Sequence, residues 1–198
     1  NIIQSASAET QYLHFGPEQK VQADVIKVNN INHLKLFLYN KNNKPLAAFS
    51  NIQVNLNQCQ KMLFAMNAGM YHADYSPVGL YIQDLKVLNK LNFDTGFGNF
   101  FMQPNGVFAW NESQAVIQTT QDYSKSNFNA KYATQSGPML LINGKINSQF
   151  LENSDSLKIR NGVGIKDHQV YFVISNNKVN FYQFAEFFKN QLGIVHLS

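Results

Sequence analysis

The sequence predicts an α+β fold, mainly antiparallel β-sheet with a few helices packed on it. Three observations carry this reading. Short apolar runs alternate with polar positions at a period of two, the pattern of half-buried strands. Tight turn signals join them, above all Asn143-Gly144, a pair that accepts the positive φ of a type I′ turn. The order is strands, a helix, many strands and a final helix, so helices and strands are segregated rather than regularly alternating.

Taken along the chain, "ADVIKV" (Ala23–Val28) and "HLKLFLY" (His33–Tyr39) predict two strands around "NNIN". Phe49, Ile52 and Leu56 stand at near-helical spacing and predict a short helix over residues 48–59. Lys61–Met66 and Val78–Gln83 predict strands on either side of a polar, glycine-containing break. "NGVFAW" and "QAVIQTT" predict a hairpin across Asn111–Ser113. The polar stretch Asp122–Tyr132 predicts a surface loop. "PMLLINGKI" predicts a hairpin at Asn143-Gly144, and "GVGIKDHQVYFVIS" another at Asp167–His168. In "NFYQFAEFFKNQLG", Phe181, Phe184, Phe188 and Leu192 form an apolar helical stripe. Asn180 with Gln183 three residues on reads as a capping box, and Gly193 as the stop.

Composition narrows the function. The chain has 198 residues, 44% hydrophobic and 13% aromatic, enough for one domain over residues 1–198 with a real core and no disulfide staples. Net charge is +4, but the lysines are dispersed, and nucleic-acid binding needs a cluster on one face. The single cysteine, Cys59, reads as a small buried apolar residue. No Cys/His spacing resembles a zinc site, so no metal and no cofactor are expected. No apolar run is long enough for a membrane span, and "NIIQSASAET" lacks the basic start and apolar core of a signal peptide. "GFGNFF" has two close glycines without a following helix signal, so nucleotide cradling is rejected.

Four polar clusters sit at strand ends: "NAGMYH" (67–72), "GNFFMQPNG" (98–106), "ATQSGPM" (133–139) and "IRNGVG" (159–164). Each also reads as an ordinary turn, because Gly, Asn and Pro are turn residues first. Each equally joins a small residue, which permits close backbone approach, to an amide, hydroxyl or guanidinium that can bind a sugar hydroxyl or phosphate oxygen. Arg160 is the one arginine against 15 lysines, a planar fork suited to an oxyanion; an ordinary ion pair with Asp155 or Glu152 is the competing reading.

Together "FAMNAGMY", "PVGLYI", "GNFFMQPNGVF", "ATQSGPMLLINGKI", "RNGVGI" and "VYFVISNNKVNFYQFAEFF" resemble, in order, the phosphodiester glycosidase family, most closely its bacterial branch. The resemblance covers roughly residues 60–193. It implies hydrolysis of a sugar 1-phosphodiester to free sugar and a phosphomonoester, with a glycan phosphodiester as partner, and a non-catalytic carbohydrate- or cell-wall-binding module as the alternative. It implies roles for Asn67, Gly69, Ser136, Gly137 and Arg160, and more weakly for Asn99 and Gln135. Tyr71 and His72 are expected to form pocket wall, with His72, Asp74 and Asp84 the candidate bases for water. Family members commonly continue past the last helix into a strand ending Leu-Asp-Gly, so the resemblance implies that residues 1–198 are a domain shortened at that end. It also implies export, to the periplasm or the cell exterior.

Overall fold

The computed structural model describes residues 2–5, 10–39 and 64–195. The strands among them are β1 (Ile2–Ser5), β2 (Thr10–Phe15), β3 (Ala23–Val28), β4 (Lys35–Phe37), β5 (Phe64–Asn67), β6 (Tyr81–Gln83) and β7 (Lys86–Asn89). They continue with β8 (Gly106–Trp110), β9 (Ala115–Thr119), β10 (Tyr132–Ser136), β11 (Leu141–Ile142), β12 (Lys145–Ile146), β13 (Asn161–Lys166) and β14 (Gln169–Ser175). Two α-helices are described, α1 (Thr120–Lys125) and α2 (Phe181–Glu186), the latter running on as a π-helical turn over Phe187–Gln191. The sheets have orders β4-β1-β5, β7-β6-β10-β8-β9, β11-β12 and β13-β14-β3-β2, and their pairings are antiparallel. This is the expected α+β class.

Alternation of side chains explains how the sheets stack. β8 is buried at all five positions. Phe108 and Trp110 point into one core with Val170 and Phe172 of β14, while Val107 and Ala109 point into another beneath α1, with Tyr123 and Ala133. β14 divides in the same way, sending Tyr171 and Val173 to a third core under α2. There Phe184, Phe188 and Leu192 are buried as the helical stripe requires. Burying each such Phe contributes about 1.5–3 kcal/mol.

The local chemistry sets the boundaries. Asn143 and Gly144 have φ of 50° and 74°, and Asp167 and His168 of 51° and 63°, so both hairpins turn where expected. The Asn180 side chain accepts from Gln183 N while Gln183 caps Asn180 N, completing the capping box, and Gly193 ends the segment at φ 65°. Three expectations need correction. His33–Tyr39 is not one strand: a 3-10 turn occupies Ile31–His33, capped by Asn30, and only Lys35–Phe37 is strand. Val78–Gln83 is strand only from Tyr81. The polar stretch expected as loop begins with helix α1, because Thr119 caps it by accepting from Asp122 N and Tyr123 anchors its inner face. The proposed helix over 48–59, residues 61–63 and Cys59 lie outside the described residues.

Candidate active site

Strand ends from three sheets meet at one cleft. β5 delivers Asn67 and then Gly69; β10 delivers Ser136 and then Gly137; β13 begins at Asn161, directly after Arg160. The start of α2 adds Phe181. These seven residues line both parts of the cleft: an inner, largely apolar chamber of about 80 Å³ and an open outer chamber of about 550 Å³. Tyr71, His72, Asn99 and Lys158 line the outer chamber only. Its size suits a sugar-sized ligand.

Glycine is required where the backbone closes in. Gly69 has φ 71°, a conformation costly for a residue with a Cβ. A Cβ on Gly137 would lie 2.7 Å from Phe100 O and 3.2 Å from Asn99 O, so only glycine lets the β10 end pass the 3-10 turn Asn99–Phe101. That turn is held from behind by Asn105, whose Nδ2 donates to Phe100 O at 2.6 Å.

Arg160 sits at the centre, buried to 8% exposure. Its Nε donates to Val179 O at 2.8 Å and its Nη2 to Ser156 O at 2.8 Å, while the guanidinium carbon lies 3.7 Å from the centre of the Phe181 ring. Backbone carbonyls and an aromatic face thus aim the group. Neither Asp155 nor Glu152 pairs with it, and its Nη1 has no hydrogen-bond partner among the described residues. Burial lowers its pKa, yet a guanidinium remains charged. Burying such a charge without a counter-ion costs several kcal/mol. Among the described residues, no aspartate or glutamate lines either chamber. The cleft therefore offers a desolvated cation with one free face, a site for an oxyanion. Around it, the side chains of Asn67, Asn99, Ser136 and Asn161 make no hydrogen bond to other described residues. The described residues hold no cluster of three metal-ligating acidic, His or Cys side chains.

Three expected site residues lie elsewhere. Gln135 is 1% exposed, and its side chain is saturated by protein. Its Oε1 accepts from Leu80 N at 3.0 Å and Asn92 N at 2.9 Å; its Nε2 donates to Asn92 O at 2.7 Å and Thr120 Oγ1 at 3.1 Å. The reason is β10 alternation: Thr134 and Ser136 face the cleft, so Gln135 faces the opposite core. Asp84 is in the turn between β6 and β7, with φ 49° and a 72% exposed side chain 3.8 Å from Lys131 Nζ. It is at the end of β6 that points away from the cleft. Asp74 is likewise outside the lining: its Oδ1 accepts from Ser76 N at 3.0 Å and Ser76 Oγ at 2.5 Å, and these hydrogen bonds lower its pKa. Sequence reasoning had not placed Lys158 and Phe181 in the site, and had Asn161 only as a member of the 159–164 cluster. Asn161 and Lys158 flank Arg160 in an extended run and could have been found from that; Phe181 carried only the signal of a helical core face.

Residues 60–196 match the phosphodiester glycosidase family profile. The uncharacterized protein YigE of Escherichia coli (strain K12) is 35% identical over 182 residues, spanning 91% of this chain and 71% of that protein. The fold is that of the zebrafish N-acetylglucosamine-1-phosphodiester alpha-N-acetylglucosaminidase catalytic domain, auto-inhibited by its pro-peptide: TM-score 0.64 and 15% identity, over 99% of this chain and 73% of that one. With the family match extending over every strand end that builds the cleft, this chain belongs to the phosphodiester glycosidase family.

Proposed function

We propose that the protein hydrolyses the glycosidic bond of a sugar 1-phosphodiester, releasing free sugar and a phosphomonoester. The observation that carries this is Arg160: buried, oriented by three protein contacts, unpaired by any carboxylate of the described residues, and open to a sugar-sized chamber. Water adds to the anomeric carbon, and the C1–O bond breaks with its electron pair passing to the phosphate oxygen. The departing phosphomonoester gains a negative charge, which Arg160 and the Ser136–Gly137 end of β10 stabilise. This is charge stabilisation developed in the transition state rather than in the bound substrate. A phosphate leaves without strong protonation, so the usual pair of flanking carboxylates is unnecessary on the leaving side. His72, at the outer wall, takes the proton from the attacking water; Asp74 and Asp84 are not among the residues that line the cleft.

The test is sugar release from a panel of sugar 1-phosphodiesters, an N-acetylglucosamine 1-phosphodiester included, with the native chain beside Arg160→Ala. Release by the native chain and loss of roughly 100-fold or more in kcat/KM on substitution is expected. Undiminished turnover by the variant would remove Arg160 from the mechanism. Saturable binding with no release of sugar from any member would support a carbohydrate-binding module instead.

A further inference from the structure

The cleft holds more positive charge than one phosphodiester can neutralise. Lys158 and Arg160 are two residues apart in the extended run that leads into β13. Both line the outer chamber, and only Arg160 reaches the inner one. The run is fixed at both positions. Lys158 is bridged to Val179 by hydrogen bonds of 3.0 and 2.9 Å, and Arg160 N donates to Ser175 Oγ at 2.8 Å. Residues i and i+2 of an extended chain project to one side, roughly 7 Å apart. The ammonium of Lys158 has no ion-pair or hydrogen-bond partner among the described residues, whose ion pairs, His14–Asp24, Lys131–Asp84 and Lys131–Glu112, all lie outside the cleft. Among the described residues no carboxylate lines the chamber, which there presents two cations without a counter-charge, one buried and one at the solvent-facing rim.

We infer that the substrate carries a second anionic group, a phosphate or carboxylate, roughly 7 Å outward from the phosphate held by Arg160, and that Lys158 reads it. This rests on the reading of Arg160 as the phosphate site and adds the substrate class: a diester bearing a second anionic group rather than a simple monoanionic one. Lys158 is a specificity residue, acting on the part of the substrate that does not react. Being exposed, its attraction is screened by salt, whereas that of buried Arg160 is screened much less.

Two diesters separate the cases: a sugar 1-phosphoglycerol, with one charge, and the same compound phosphorylated on the far glycerol hydroxyl. Each is measured by calorimetric binding and by sugar release, with native chain, Lys158→Met and, as a control cation on the distant β7, Lys86→Met. The native chain is expected to bind the phosphorylated diester about tenfold more tightly at low salt. That preference should shrink to near unity in Lys158→Met or at high salt, and persist in Lys86→Met. Equal affinity of the native chain for both diesters would overturn the inference, as would a preference that survives Lys158→Met. A Lys158-dependent preference in binding without sugar release would keep the inference and remove only the hydrolytic reading. Failure to bind either diester would remove both.

Discussion

Arg160 and the glycines beside it show how single side chains set the chemistry. Replacing Arg160 by Lys keeps the charge but loses the planar fork that spans Val179 O, Ser156 O and the Phe181 face at once. We expect kcat/KM to fall roughly 100-fold, with a melting temperature close to native. A change in kcat/KM within a factor of two would show that charge alone suffices. His72→Gln should lower kcat by roughly 100-fold if the imidazole accepts the proton of water; an unchanged kcat under single-turnover conditions would contradict that. Gly137→Ala places a methyl against Phe100 O and should cost about 1–3 kcal/mol in urea unfolding. Of this residue-scale detail, the sequence disclosed the identities in "NAG", "QSG" and "RNG" but not their facing. Gln135 looked as suitable as Ser136 because neighbours in a strand differ only in which side they face, and that depends on pairing partners up to 55 residues away, such as Leu80. Its saturated side chain predicts that Gln135→Ala destabilises the fold by about 3 kcal/mol in denaturant titration, through four orphaned partners. A loss confined to KM with stability intact would instead make it a substrate contact.

The elements position the site through their ends. α2 is legible in the sequence because both of its boundaries are chemical: the Asn180–Gln183 box at the start and Gly193 beyond the π-helical turn. The two hairpins at Asn143-Gly144 and Asp167–His168 are legible for the same reason, since each turn needs positive φ. Helix α1 was hidden because its six residues are mostly polar and its cap, Thr119, ends a strand. Strand β4 was overextended because Leu34 and Leu38 are buried outside the strand as fully as Leu36 is within it. Asn180 does more than cap. Its Nδ2 donates to Glu152 O at 2.9 Å and Ser154 O at 3.1 Å, tying α2 to the run that carries Ser156, Lys158 and Arg160. Asn180→Ala should therefore cost about 1–2 kcal/mol of stability and raise KM more than it lowers kcat. Stability lost with KM unmoved would separate the helix cap from the site.

Across the whole molecule, three sheets contribute one strand end each to a cleft whose far walls are shared core. The convergence of β5, β10 and β13 could not be read from order along the chain, since it follows from sheet pairings such as β13-β14-β3-β2 that reach back to the N-terminal strands. At the outer strands of that sheet, Asp24 accepts from Tyr12 OH and His14 Nδ1, each at 2.6 Å. Partial burial works to raise the Asp24 carboxyl, but the hydrogen bonds from Tyr12, His14 and Asn176 outweigh it and hold its pKa below the ordinary range. A lowered carboxyl pKa stabilises the fold above the ordinary carboxylate range, and that contribution is lost as pH falls through the lowered value. Asp24→Asn should thus have a lower urea midpoint than native near neutrality, the gap closing on acidification; a gap independent of pH would show that the carboxylate charge is not involved. The central claim concerns which bond the cleft breaks, and oxygen-18 water tests it most directly. A single turnover of a cleaved sugar 1-phosphodiester should place the label in the released sugar and none in the phosphomonoester. Label in the phosphate would mean that P–O cleavage occurs, and would contradict the account of Arg160 as the group that receives a departing phosphate.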